Sequence, residues 1–431
     1  MTFTNKPDLV NTTLNRPIVI VDPLSSGVEL APAFKARGIP AIAVTLTTEE
    51  WPEFGAKMQS SDFIEVIPDQ QDIENIIKKY DPLAIIPGTE EGINLAERLT
   101  EIITPRLSND PKKSLHRAHK SLMQEALKEA GVPSLLTLHT ASESIAEAWI
   151  RENNLIESPL ILKPPMSSGS EMVFHIEPQS DWKKAFHQIL TQPSIVSGKK
   201  NDVAIIQELA IGTEYAVGTV SADGKHYLVH LIKYNKTAAG DRKTVFDHVE
   251  FVPYDKDILG DLWDYTKNVL DALGVRWGAT HTEIMLTKNG PRLIESSPRM
   301  IGGPVVGFAR AATGSSQADK LVEIYIDGDV QTKDYVFKKT VVPVFLKAIT
   351  QGTVSNLEAF DHASQLPTLL YKYIWIKNGD TVPQTIDYLT AIGIIALAGD
   401  RKSIFLDYNK IREMESQLVI TPSPQTKGAS T

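Results

Sequence analysis

The stretch HTEIMLTKNGPRLIESSPRMIGG, residues 281–303, decides how this chain is read. Two apolar runs flank Lys288-Asn289-Gly290, the pattern of a β-hairpin. Side chains alternate along a strand. His281, Glu283 and Met285 therefore share one face of the first run, and Leu293, Glu295 and Ser297 share one face of the second. The turn decides whether those faces coincide. A two-residue Asn289-Gly290 turn would pair Lys288 with Pro291 and put the glutamates on opposite faces. That closing pair needs an N–H from residue 291, which proline lacks. A three-residue loop, Lys288 to Gly290 with Gly290 left-handed, pairs Glu283 directly with Glu295. The odd-length loop is the expectation.

Opposed carboxylates repel each other and weaken a sheet. A solvated face is one way to bear that cost. A divalent metal is the other: hard oxygen donors without Cys or a histidine cluster suit Mg²⁺, which takes one or two carboxylates plus substrate phosphates.

Composition narrows the classes. A chain of 431 residues suggests two to four domains. With 42% hydrophobic and 23% charged residues it reads as an ordinary globular protein. The net charge is −9 and no block of Lys and Arg stands out, which argues against nucleic acid as a partner. The absence of cysteine excludes disulfides, zinc–thiolate sites, Fe–S clusters and a cysteine nucleophile. The start, MTFTNKPDLVNTTLNRP, has no apolar core of a signal peptide. The longest apolar run, AIGIIALAG at 391–399, is far shorter than a membrane span. The expectation is a cytoplasmic protein without a membrane partner.

Residues 16–45 read as strand, loop, helix (Val28 to Arg37) and strand. DFIEVI, a helix from Asp72 to Lys79, and PLAIIPG extend this βαβ unit into a small parallel sheet. Residues 109–134 read as one helix ended by Gly131 and Pro133. Strands dominate from Leu160, and a helix near Ile258 to Leu273 precedes the hairpin. The expected organisation is α/β (α+β), with domains at 1–110, 111–205, 206–333 and 334–420, and a disordered tail at 421–431.

Other segments suit a nucleotide. Lys163 ends the strand LILK, and the loop PPMSSGS follows. Ser168, Gly169 and Ser170 there can offer backbone N–H groups to phosphates. A surface lysine and a plain loop are the default readings of these pieces taken singly. Some forty residues on, QELAIGTE (207–214) leads from a strand through a turn at Gly212.

In this order the segments resemble the ATP-grasp superfamily of carboxylate–amine ligases, over roughly Lys113 to Arg310. The resemblance implies an ATP-grasp fold, a Rossmann-like pre-ATP-grasp domain before it and an α+β domain after it. It implies that Lys120 and Lys163 contact the ATP phosphates, that Gln207 and the backbone of Glu208 and Leu209 meet adenine, and that Glu214 meets the ribose. The family motif E-x-N-P-R is here ESSPR, so Glu295 and Arg299 map directly, while Ser297 stands where the family has its Asn metal ligand. Glu283, Glu295 and Ser297 would hold one or two Mg²⁺, with Mn²⁺ as a substitute. GATHTEIML, LIESSPRMIGG and VDPLSSGVELAPAFKARGI look most like the bacterial L-amino acid ligases, which join amino acids into dipeptides.

That likeness implies amino acid substrates, a homodimer and an acyl phosphate intermediate. Arg299 would present its fork to the transferring phosphate. Gly302 and Gly303 would let backbone approach the substrate. His281 would orient substrate or take a proton from the incoming amine, with a purely hydrogen-bonding histidine as the alternative. KYNKTAAGDRKTVFDHVEFVP (233–253) is expected to be a closing loop whose anion contacts are Lys236 and Arg242. Two other readings stand beside this one: an ATP-grasp ligase for a carboxylate that is not an amino acid, and a nucleotide binder without catalysis.

Overall fold

A computed structural model describes residues 16–46, 58–167, 169–194, 198–239 and 242–422. Contacts divide the chain into two compact units. The first comprises Met1–Leu136, Ala210–Leu231 and Pro253–Lys338; the second comprises Thr137–Leu209, Ile232–Val252 and Lys339–Thr431.

The first unit opens with strands β1 (Ile18–Val21), β2 (Ala41–Thr45), β3 (Glu65–Pro68) and β4 (Ala84–Pro87), all parallel, in the order β3-β2-β1-β4. Strand β1 reads IVIV because both faces of a parallel sheet are covered. Ile18 and Ile20 pack with Leu30 and Phe34, while Val19 and Val21 pack with Ile73, Ile77 and Leu99. The expected helix after β1 is a 3₁₀ turn, Ser25–Glu29, followed by an α-helix at Leu30–Lys35. Strand order reverses between β1 and β4, the place where open α/β sheets take ligands beyond their carboxyl ends. The loops there touch backbone to backbone. A Cβ on Gly88 would lie 2.3 Å from the Asp22 carbonyl oxygen.

The segment expected to be one helix is two, Ser114–Ala118 and Lys120–Glu129. His119 between them is extended, and its Nδ1 accepts the Leu122 N–H at 3.4 Å as an N-cap. Lys120 is thereby the first residue of the second helix.

In the second unit, β5 (Thr137–Thr140), β6 (Leu160–Lys163), β7 (Phe174–Ile176) and β8 (Ala204–Glu208) form an antiparallel sheet in the order β5-β8-β6-β7. Helices Glu143–Glu152 and Lys183–Thr191 cover its apolar face through Ala146, Ile150, Phe186 and Ile189.

Strand β9 (Gly212–Ala222) belongs to the first unit, as does β10 (Lys225–Ala239) up to Leu231; β11 (Arg242–Phe251) belongs to the second. The first unit continues with β12 (Gly278–Thr287) and β13 (Gly290–Ser297), in the order β13-β12-β9-β10. Helix Leu262–Ala272 supports β13. Its Tyr265 hydroxyl accepts the Leu293 N–H and donates to the Pro133 carbonyl.

The rest of the second unit holds β14 (Thr340–Leu346), β15 (Gly352–Ser355), β16 (Leu369–Ile374), β17 (Thr381–Val382), β18 (Gly393–Gly399) and β19 (Val419–Thr421). Strand β14 lies between β11 and β18, with β16 beyond, and β15 pairs both β17 and β19. Helix Arg401–Ser416 covers β18 through Ile404 and Ile411. The apolar run 391–399 is thus a central strand. Among the described residues no helix is long and apolar enough to cross a membrane. Strand β19 takes Thr421, and most of the expected tail, 423–431, lies outside the described residues.

Candidate active site

The hairpin pairs Glu283 with Glu295, as expected, but by a different route. Its closing pair is Thr287–Gly290, so the turn is Lys288-Asn289, with Gly290 at φ +91°. Hydrogen-bonded and open pairs alternate in an antiparallel ladder. A closing pair at Thr287–Gly290 leaves Leu286–Pro291 as an open pair that calls for no N–H from proline. The extra residue sits in the strand: the register shifts between Glu283 and Ile284, and Ile294 is a bulge. Leu293 consequently pairs with Ile284 and both are fully buried in the core. The expectation that Leu293 shares the face of Glu295 is corrected by that bulge.

Register assigns one face of the first unit's sheet. Glu283 stands between Ala216 and Glu295, His281 between Gly218 and Ser297, and Met285 opposite Glu214. Glu214, His281, Glu283, Glu295 and Ser297 therefore point from the same side. His281 Nε2 lies 3.3 Å from Glu283 Oε1, and Lys120 Nζ lies 3.1 Å from Glu295 Oε2. Gln124, one turn after Lys120, donates to the Leu293 carbonyl at 2.9 Å and fastens that helix to β13.

The residue that organises the other end of the motif is Glu90, which was not singled out from the sequence. It sits in the loop GTEEG after β4. Its Oε2 accepts from Ser297 Oγ and from Arg299 Nε, each at 2.6 Å. Arg299 Nη1 also donates to the Met300 carbonyl at 2.8 Å. Burial pushes the Glu90 carboxyl up, but Arg299, Ser297 and Lys120 together outweigh it and hold it below the usual carboxylate range. Burial opposes the Arg299 charge, and Glu90 and Glu295 more than restore it. Beside them, burial raises Asp22 and Glu91 above that range. Gly303 donates its N–H to Ser25 Oγ at 2.8 Å, and Gly302 lies beside the same serine. The only signal for Glu90 was its place after an apolar strand, at the switch point of the sheet.

In the second unit Lys163 Nζ donates to Gln207 Oε1 at 2.9 Å, and Gln207 Nε2 donates to Thr137 Oγ1 at 2.8 Å. Both Lys163 and Gln207 are buried. Glu208 pairs with Leu160, and the Leu209 N–H donates to the Pro159 carbonyl at 3.2 Å. After β6 the loop carries Gly169, Ser170 and Met172 at φ +64°, +65° and +48°. Met172 packs against the core around Phe186 and Leu162. Ser168 lies outside the described residues. The segment 233–253, expected to be a loop, is mostly strands β10 and β11, paired out to Ala239–Arg242. Lys236 Nζ stands 4.8 Å from the Phe246 ring centre and 5.3 Å from that of Tyr234. The Arg242 side chain lies outside the described residues.

The ATP-grasp domain family matches residues 156–307, the span that holds β6 with its buried Lys163, the loop of left-handed residues after it and the strand pair bearing the opposed glutamates. Residues 156–307 are an ATP-grasp domain. The relatives extend the likeness past the domain. Dapdiamide A synthase of Enterobacter agglomerans is 27% identical over 414 residues, 93% of this chain and 96% of that protein. Alanine–anticapsin ligase of Bacillus subtilis (strain 168) is 25% identical over 227 residues, covering 48% of this chain and 47% of its own. The solved structure of an L-amino acid ligase from Bacillus licheniformis superposes with a TM-score of 0.72 at 13% identity, over 95% of this chain and 99% of that one. That likeness establishes the fold around the ATP-grasp domain: a parallel-sheet domain before it and an α+β domain after it.

The donor set suits the metal that such domains use. Glu283 and Glu295 offer hard oxygens side by side, and there is no cysteine in the chain to favour a softer ion. Ser297 gives its hydroxyl proton to Glu90, so the charged donors are the two glutamates. Among the described residues no group of three or more His, Cys, Asp or Glu side chains could hold a metal ion alone. Two carboxylates completed by substrate phosphates fit Mg²⁺.

Proposed function

We propose that the protein is an ATP-dependent ligase that joins the carboxylate of one amino acid to the amine of a second and releases ADP and phosphate. The observation that carries this reading is the opposed pair Glu283–Glu295 with Arg299 seated on Glu90, in a chain similar over nearly its whole length to a dapdiamide A synthase. A carboxylate is a poor acyl donor at neutral pH. Its oxygen attacks the γ-phosphorus of ATP, ADP leaves, and a mixed anhydride results. The amine then attacks the acyl carbon and phosphate leaves. Phosphoryl transfer is mainly positioning and charge neutralisation.

Each residue has a task in that scheme. Lys120 and Lys163 contact phosphates, with backbone N–H groups of Ser168, Gly169 and Ser170. Gln207, Glu208 and Leu209 meet adenine, and Glu214 the ribose. Glu283 and Glu295, with Ser297 beside them, hold one or two Mg²⁺ ions, which lower the charge on the transferring group. Arg299, fixed through Nε by Glu90, directs its remaining N–H groups at the phosphoryl oxygens. His281 orients the amino acid or accepts a proton of its amine, and Gly302 and Gly303 admit the substrate backbone. The functional divisions we assign are 1–110, 111–205, 206–333 and 334–420. A cytoplasmic homodimer acting on small molecules, without nucleic acid or membrane, completes the reading.

Phosphate release from ATP and Mg²⁺ with pairs of the twenty amino acids, each partner omitted in turn, tests it. A dipeptide by mass spectrometry supports the ligase and names its substrates. Silence across all pairs, with ATP bound, sinks it in favour of another carboxylate or a non-catalytic binder.

A further inference from the structure

Gly218 lies inside β9. A glycine there weakens a strand, because it loses more backbone freedom and brings no side chain to pack. Its φ is not in the left-handed region, so backbone conformation does not call for it. Room does. A Cβ at Gly218 would lie 2.1 Å from Nε2 and 2.2 Å from Cε1 of His230. The His230 ring, from β10, therefore occupies the place where β9 lacks a side chain, and it is buried.

Gly218's direct partner across the next ladder is His281. Directly opposed residues have Cβ positions about 4.5–5.5 Å apart. The His230 ring thus borders His281 on the face that carries Glu283, Glu295 and Ser297. Burial, and then the nearness of His281, pull the His230 imidazole down to about 3, so the wall beside His281 is uncharged at neutral pH. The polar hold on the His281 ring is Glu283 at 3.3 Å, and its buried Nδ1 has no hydrogen-bond partner among the described residues. Packing must fix what hydrogen bonds leave loose.

We infer that His230, seated on Gly218, is a positioning residue that walls His281 and keeps its ring turned toward the Glu283–Glu295 pair. It acts by shape, so a ring of similar size should replace it. The inference rests on the ligase reading only for its effect on turnover.

The test compares His230→Ala and His230→Phe in the full chain, with ¹⁵N–¹H spectra of the His281 ring and steady-state kinetics. His230→Ala should shift or broaden the His281 ring signals and lower kcat roughly tenfold, with KM for ATP unchanged. His230→Phe should rescue both. In a His281→Ala background, His230→Ala should cost nothing further. An unmoved His281 signal in folded His230→Ala, or an equal kinetic cost in both backgrounds, overturns the inference. Gly218→Ala, which displaces the ring by its methyl, supplies the second variant should His230→Ala fail to fold. If wild-type protein turns over no amino acid pair, the ligase reading fails, and the ring signals still decide the positioning.

Discussion

At the scale of single residues, the proposed reading puts the chemistry on Glu283, Glu295 and Arg299, with Glu90 as the anchor of Arg299. Glu283→Gln and Glu295→Gln each keep shape and lose a charged donor, and phosphate release should fall roughly 10²-fold or more, with a higher Mg²⁺ requirement in a metal titration. Arg299→Lys keeps the charge but not the planar fork, so turnover should drop while ATP binding by calorimetry changes little. Glu90 has a pH signature. Its folded pKa lies below the ordinary value of 4.5, so its contribution is complete above that value and is lost as pH falls through the folded one. Urea melts of wild type against Glu90→Gln should therefore differ most near neutrality and converge in acid. Equal differences at pH 7 and pH 3 would remove Glu90 as the ionic anchor of Arg299. None of this was visible in GTEEG as letters, because a carboxylate 209 residues from its guanidinium meets it only in the fold.

Among elements, the hairpin shows how pattern and geometry divide the work. Alternation and the proline led to the right carboxylate pair by a turn that does not form, because the extra residue went into a bulge at Ile294 and not into the turn. The bulge lets Ile284 and Leu293 both reach the core while Glu283 and Glu295 stay on the open face, a gain in burial that period-two counting does not foresee. A second junction lies in the second unit, where Asp247 on β11 accepts from His248, Lys347, Tyr408 and Arg412. Burial resists its charge, but these partners hold its carboxyl far below the usual range. Asp247→Asn leaves two cations poorly matched and should destabilise the second unit by about 3 kcal/mol, read as a lowered urea midpoint without a change in slope. The single long helix expected at 109–134 broke at His119 for a local reason, a side chain competing for a helix N–H, which propensity alone ranks too weakly to place.

For the whole molecule, ligand linkage is the accessible measurement. A nucleotide that binds only the folded chain stabilises it by about 2.7 kcal/mol at a hundredfold excess over Kd, so ATP with Mg²⁺ should raise the melting temperature. Lys163→Ala should shrink that shift without lowering the unliganded melting point by a like amount; an undiminished shift would take Lys163 out of the nucleotide site. Legible in the sequence were the parallel sheet at the start, most strands from Leu160 on, the facing of Glu283 and Glu295 and the absence of thiol chemistry, because apolar periodicity, turn residues and composition are local, whereas Lys163 and Arg299 were picked out by resemblance to a family. The folded chain alone reveals that Glu90 holds Ser297 and Arg299, that Gln124 fastens the Lys120 helix to β13, and that His230 rests on Gly218. The first two join segments 169 to 209 residues apart along the chain, the third rests on how closely two neighbouring strands pack, and no local pattern records either.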